Sequence, residues 1–92
     1  MLSFTVTVCN SKGFHLRPAS KLVELVSSFQ SIDVILHDRD KGKKADCRNM
    51  MALMMMSSPK GTILEFEVDG ANEADVAEAI QTLFASGFGD ES

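Results

Sequence analysis

The sequence predicts one small α+β domain in which helices cover one face of an antiparallel sheet. Three segments alternate apolar and polar residues with a period of two, which is typical of strands that have one buried and one solvent-exposed face. Two others repeat apolar residues every three or four positions, which is typical of helices with one buried stripe. Hairpins and helices mixed in this way favour the α+β class, and 92 residues suffice for a single core.

The first half of the chain contains three predicted strands and one helix. The first strand spans about residues 3–9, and the helix that follows spans about 17–29. A second alternating segment precedes a polar tract at 37–42, which predicts a hairpin loop, and a short third strand lies near 43–47. The apolar positions that define the first two strands and the helix are Phe4, Val6, Val8, Ala19, Leu22, Val23, Val26, Phe29, Ile32, Val34 and Leu36.

The second half adds a helix, a strand and a last helix, which gives the order βαββαβα. Residues 49–56, with Asn49 as the N-cap, predict a helix of about two turns. The strand ends at an Asp69-Gly70 turn, and Asn72 with Asp75 resembles a helix-capping arrangement. The apolar positions of this strand and of the last helix, which Gly87 ends, are Leu64, Phe66, Val68, Val76, Ile80, Leu83 and Phe84. We expect one domain over 1–88 and a mobile acidic tail over 89–92.

Composition excludes several classes of function. A net charge of −4 argues against a phosphate-backbone binder, so no nucleic-acid partner is expected. The N-terminus lacks the features of a signal peptide, and no apolar run approaches the roughly 18 residues that span a bilayer, so we expect a cytoplasmic protein without a membrane partner. Cys9 and Cys47 lack metal-ligand spacing; we expect buried thiols, with no disulfide, metal or cofactor.

The stretch GFHLRPAS, residues 13–20, places His15 at the entrance of the first helix. Pro18 suits the first turn of a helix and disfavours helical geometry at Arg17. The free N–H groups of a helix N-terminus favour anions and disfavour an imidazolium, so a neutral His15 could serve as a nucleophile for a phosphoryl group. Arg17 could then bind two phosphoryl oxygens. An ordinary surface or capping histidine is the alternative that the residues alone leave open.

This octamer resembles the active-site motif of the HPr family, the histidine phosphocarriers of the bacterial phosphotransferase system. The resemblance covers essentially the whole chain, including the Lys60-Gly61 and Asp69-Gly70 turns. It implies an open-faced sandwich with a four-stranded antiparallel sheet and three helices on one side. It also implies that His15 accepts a phosphoryl group at Nδ1 from enzyme I, charged by phosphoenolpyruvate, and passes it to an enzyme IIA. Arg17 and the backbone at Leu16 would hold the phosphoryl group.

Partner contacts follow from the same resemblance. In the family, the first helix and the start of the second contact both the donor and the acceptor. The residues that this implies are Leu16, Ser20, Lys21, Glu24, Arg48, Met50, Met51 and Met54. Five methionines in residues 49–56 leave that helix without a polar face, so we predict that some form an exposed apolar patch while others pack in the core.

Two features indicate the branch of the family. The regulatory serine of many Gram-positive members aligns with Asn49, which cannot be phosphorylated. Residues 21–25, 52–56 and 83–88 resemble the nitrogen-related NPr subfamily, which hands phosphate to a nitrogen-type enzyme IIA. A sugar-transport HPr, a regulatory module that binds through the methionine helix, and a stand-alone enzyme using His15 as acid or base are the alternatives. A carrier that docks with successive partners is expected to be monomeric.

Overall fold

A computed structural model describes residues 1–9, 13–14, 16–56 and 58–87 of the chain. Its elements follow the predicted order βαββαβα. They are β1 (Leu2–Thr7), α1 (Leu16–Ser27), β2 (Ile32–Asp38), β3 (Lys43–Asp46), α2 (Met50–Met54), β4 (Ile63–Gly70) and α3 (Glu73–Ala85). No helix within the described ranges combines the length and the apolar character needed to cross a membrane.

The four strands form one antiparallel sheet in the order β1-β4-β2-β3. β4 is therefore an inner strand, and its residue Phe66 lies opposite Phe4 of β1 and Leu36 of β2. These three side chains point to the same face because residues directly opposite one another share a face. A slip of one residue would expose this whole apolar set, so the hydrophobic pattern fixes the register.

The core lies between this face and the helices. Phe66 stacks on Phe4 at a centroid distance of 5.3 Å and meets Phe84 of α3 edge-on at 5.5 Å. The apolar positions predicted for the helices mostly face this core: Ala19, Leu22 and Val26 of α1, and Val76, Ile80 and Phe84 of α3, are buried. Val23, Phe29 and Leu83 pack against the core while partly buried.

The opposite face of the sheet is mostly polar. His37 Nε2 lies 2.6 Å from Glu67 Oε1, and Arg39 Nε donates a hydrogen bond of 2.6 Å to Glu65 Oε1. These four residues belong to β2, β4 and the turn after β2. The arrangement confirms the expected α+β fold, an open-faced sandwich with the four-stranded sheet on one side and three helices on the other.

Several predicted boundaries in the first half of the chain were wrong. β1 ends at Thr7, and α1 runs from Leu16, so it includes Arg17 despite the following Pro18. A proline in the first turn is tolerated because its missing N–H would have no partner within the helix. β2 continues to Asp38, so His37 and Asp38 belong to the strand rather than to the predicted loop.

The second half also differs in detail. α2 has five residues instead of two full turns, and β4 continues to Gly70, where a turn was predicted. Asn72 is the N-cap of α3, but its side chain makes no capping hydrogen bond. Gly87 follows the end of α3 with a φ of +66°, as a helix-ending glycine does. The predicted acidic tail at 89–92 lies outside the described residues.

The two thiols have different environments. Both cysteines are free, and Cys47 is buried as predicted. Burial raises the pKa of the Cys47 thiol, with the charge of Asp46 acting in the same direction. The prediction for Cys9 was wrong: this residue is exposed beyond the end of β1, and its Sγ donates to the carbonyl oxygen of Phe84 at 3.1 Å.

Candidate phosphoryl-transfer site

The segment that leads into α1 is anchored on the core by Phe14. Its ring is 2% exposed and stacks on Phe84 of α3 at a centroid distance of 6.2 Å. Its backbone N–H donates a hydrogen bond of 2.6 Å to the carbonyl oxygen of Ser58. Both contacts hold the residue that directly precedes His15. His15 itself lies outside the described residues.

Gly13 allows the close approach of this segment to the chain after α2. Its φ is +75°, in the left-handed region that favours glycine. A Cβ at this position would lie 2.5 Å from the carbonyl oxygen of Ser58 and 3.0 Å from the Cα of Pro59. The glycine of the GFHLRPAS motif is therefore required by its backbone conformation and by the space available.

The first turn of α1 presents an exposed basic and apolar surface. Leu16 is 55% exposed and Arg17 is exposed, whereas Pro18 and Ala19 are buried beneath them. The turn contains no acidic residue that would oppose the positive end of the helix dipole. The N-terminus of a helix beside an exposed guanidinium can hold a phosphoryl group, which is the chemistry predicted from the motif.

The other candidate contact residues lie on α1 and around α2, which pack against each other. Ser20 and Glu24 are exposed, and Lys21 is half-buried. Arg48 is exposed, but its guanidinium donates to the backbone carbonyls of Ile32 and Phe29, so it also ties the start of β2 to the chain before α2.

The methionines of this region divide as predicted between core and surface. Met56 is buried and Met50 is partly buried against the core, whereas Met51 is 75% exposed. Met54 and Met55 are exposed as well. The Asn49 side chain accepts a hydrogen bond of 3.2 Å from the N–H of Ala52, so the predicted N-cap is confirmed. α2 and the residue after it thus display exposed methionine side chains, on a helix that packs against α1.

Sequence reasoning missed three residues that shape this site. Phe14 was not assigned to the core, Ser58 was taken only as part of a loop, and Asp38 was placed in a hairpin. All three are buried. A signal for Asp38 existed, because continuing the alternation of β2 by one step places it on the buried face. Nothing in the local pattern marks Ser58 as buried.

Comparison with known proteins decides the family. The sequence model described as the PTS HPr component phosphorylation site matches residues 2–86. The chain belongs to the HPr family. It is 39% identical to the phosphocarrier protein NPr of Escherichia coli K12 over 87 residues, which cover 95% of this chain and 94% of that protein. It is 30% identical to the phosphocarrier protein HPr of Xylella fastidiosa Temecula1 over the full length of both chains.

Solved structures of HPr proteins share this fold. The crystal structure of HPr-C-His from Thermoanaerobacter tengcongensis matches over the full length of both chains, with a TM-score of 0.89 and 27% identity. The HPr of Bacillus anthracis Ames matches 90% of this chain with a TM-score of 0.81 and 20% identity, which supports the fold alone. The predicted resemblance to the HPr family is confirmed, and the chain is an HPr-type protein of the phosphotransferase system.

Proposed function

We propose that this protein is a phosphocarrier that accepts a phosphoryl group on His15 from enzyme I and passes it to an enzyme IIA. The match of residues 2–86 to the HPr family carries the proposal, because the matched range includes the whole GFHLRPAS motif. The exposed Arg17 in an acid-free first turn supports it. The carrier would work in the cytoplasm as a monomer, without a metal or cofactor.

The transfer chemistry exchanges one phosphoryl bond for another. The Nδ1 lone pair of a neutral His15 attacks phosphorus, and the bond from phosphorus to the donor group of enzyme I breaks, its electron pair leaving with that group. In the second transfer an enzyme IIA nucleophile attacks, and the Nδ1–phosphorus bond breaks with its electron pair returning to His15. Arg17 and the backbone N–H groups near Leu16 stabilise the phosphoryl oxygens in both steps.

The same surface would receive both partners in turn. It comprises exposed and half-buried side chains of α1, of α2 and of the residue two places before α2. The residues proposed for it are Leu16, Ser20, Lys21, Glu24, Arg48, Met50, Met51 and Met54. Unbranched, polarisable methionines adapt to surfaces of different shape, which suits a site that must accept two unlike proteins.

The nitrogen-type branch is the one that we propose. Relatives named NPr reach 39% identity, against 29% to 33% for relatives named HPr, and all of these alignments span nearly the whole chain. Asn49 stands at the family's regulatory serine position, and its side chain caps α2. The N-cap of α2 therefore carries no hydroxyl group that a serine kinase could phosphorylate. A sugar-transport role is the alternative, and it would use the same His15 chemistry with other partners.

The test is phosphorylation of the pure protein by phosphoenolpyruvate with sugar-type and nitrogen-type enzyme I in parallel. We expect an acid-labile label that His15→Ala abolishes and that His37→Gln, at the second histidine, leaves unchanged. Arg17→Ala should slow labelling without abolishing it. The faster enzyme I identifies the branch. Absence of label with both enzymes would overturn the carrier function and leave binding through the exposed methionines of α2 as the second candidate.

A further inference from the structure

Asp38 and Ser58 form a buried polar pair beneath the segment that leads to His15. Each is 1% exposed, and among the described residues they are the two buried polar side chains. A buried polar group is costly unless it is hydrogen-bonded. An apolar pair of similar shape would fill this space at little cost in stability, so the polar pair calls for an explanation beyond filling the core.

The contacts of the pair connect two loops. The Ser58 hydroxyl lies 3.4 Å from Asp38 Oδ2 and 3.3 Å from the carbonyl oxygen of Met56, and its single hydrogen can be donated to either. Asp38 Oδ1 accepts a hydrogen bond of 3.3 Å from the backbone N–H of Lys41. The end of β2 and the turn after it are therefore tied to the chain that follows α2.

Ser58 also contacts the candidate site through its backbone. Its carbonyl oxygen accepts the Phe14 N–H at 2.6 Å, and the same oxygen limits the space at Gly13. A rotation of the Ser58 peptide group would change this hydrogen bond and move the Phe14 peptide, which is bonded directly to His15. The contacts thus run from Asp38 Oδ2 through Ser58 to the N–H of Phe14.

We propose that Asp38 and Ser58 are positioning residues for phosphoryl transfer at His15, an inference that rests on the proposed carrier function. The Ser58 hydroxyl lies between the Asp38 carboxylate and the Met56 carbonyl, and these two contacts together restrain the Ser58 peptide group, whose carbonyl oxygen holds the Phe14 N–H. Directed hydrogen bonds define an orientation, which apolar contacts of the same shape do not. Small displacements of a reacting group slow reactions severely, by up to about 100-fold for 1 Å.

The experiment compares single-turnover transfer from phosphorylated enzyme I to the parent protein and to variants. Ser58→Ala should slow transfer about tenfold at saturating enzyme I, with little change in KM, because it loosens the reacting segment and leaves the docking surface intact. Asp38→Asn should stay within about twofold of the parent, since its amide can donate to the Ser58 hydroxyl while Oδ1 still accepts from Lys41. Ser86→Ala, which removes an exposed hydroxyl bonded to the carbonyl of Leu83, is the matched control.

A second measurement is independent of phosphorylation. Hydrogen exchange of the Phe14 amide should be faster in Ser58→Ala than in the parent at equal global stability, and unchanged in Ser86→Ala. Where Ser58→Ala does not fold, the double variant Asp38→Leu with Ser58→Ala supplies the apolar pair; slow transfer in this folded variant supports the proposal, and transfer at the parent rate overturns it.

Two failures can be told apart. A parent protein that takes no label would end the carrier function and with it any role of the pair in transfer. A parent that is labelled normally, with Ser58→Ala unchanged both in transfer rate and in Phe14 exchange, would overturn the positioning role alone and leave the carrier function standing.

Discussion

Gly13 lies so close to the carbonyl oxygen of Ser58 that a Cβ on Gly13 would be 2.5 Å from that oxygen. The obstacle is backbone, which cannot turn away as a flexible side chain can. The same oxygen accepts the Phe14 N–H. The glycine of the GFHLRPAS motif is thus explained by its packing against the chain after α2.

Gly13→Ala should therefore lower the free energy of unfolding for two reasons: alanine is strained at the positive φ of this position, and its Cβ would overlap the carbonyl oxygen of Ser58. Gly42 is the matched control, because it has a similar φ of +66° and a Cβ there would meet no described residue within 4 Å beyond its chain neighbours. We expect Gly42→Ala to cost about 1 to 2 kcal/mol from backbone strain. Gly13→Ala should cost at least about 1 kcal/mol more, from the overlap with Ser58. Urea unfolding measures both, and equal losses would contradict the contact.

The sequence predicted the framework of this site better than its interior. Alternation and helical periodicity gave the element order and placed Arg17 at the helix entrance, because both depend on local patterns of solvent exposure. The contacts of Phe14 with Phe84 and Ser58 join residues that are far apart in the chain. No local pattern encodes such contacts, and a buried serine has the same local signature as an exposed loop serine.

Asn49→Ala should destabilise the protein through the loss of a helix cap. The Asn49 side chain accepts the N–H of Ala52, and removal of such a cap costs about 1 kcal/mol. Asn72→Ala provides the comparison, since Asn72 occupies the N-cap of α3 without a side-chain hydrogen bond and should cost less. Thermal unfolding of the two variants distinguishes them. A larger loss for Asn72→Ala would contradict the assignment of the caps.

The two cysteines should differ in reactivity. Cys9 is exposed, whereas burial raises the pKa of the Cys47 thiol and keeps it protonated and out of reach of reagents. Ellman's reagent at pH 8 should modify one thiol rapidly in the folded protein and two in denaturant. Cys9→Ser should remove the fast reaction, and Cys47→Ser should leave it. A fast reaction that survives in Cys9→Ser would show that the core opens readily.

The Arg39 and Glu65 pair should make a pH-dependent contribution to stability. The hydrogen bond from Arg39 lowers the pKa of Glu65 below its ordinary value of 4.5. Because the pKa of Glu65 is lower in the folded protein than in the unfolded chain, its ionisation stabilises the fold. This stabilisation is complete at pH values above the ordinary pKa of 4.5 and is lost as the pH falls through the lowered pKa of the folded protein. Arg39→Ala should thus reduce the unfolding temperature at pH 7 but hardly at pH 2. Lys41→Ala, which removes a charge from the same turn, controls for net charge; an equal effect at both pH values would contradict the pairing.

α2 offers a test of whether its methionines serve partners or the core. Met51 is 75% exposed, whereas Leu53, two residues later, is fully buried. Alanine is a good helix former, so Met51→Ala should change the free energy of unfolding by no more than about 0.5 kcal/mol. Leu53→Ala should cost about 2 to 5 kcal/mol, because it leaves a cavity.

Binding to a partner should show the opposite order. Met51→Ala should weaken the affinity for enzyme I, measured by calorimetry, because it removes apolar area from the proposed docking surface. Glu78→Ala, on the exposed side of α3, should leave that affinity unchanged. A Met51→Ala variant that loses stability and keeps its affinity would assign the exposed methionine to the fold. A Met51→Ala variant that keeps its stability and loses affinity would show that the exposed methionine serves the partner. α2 would then carry an apolar side chain, where a charged one would suit the solvent better, because the partner binds there.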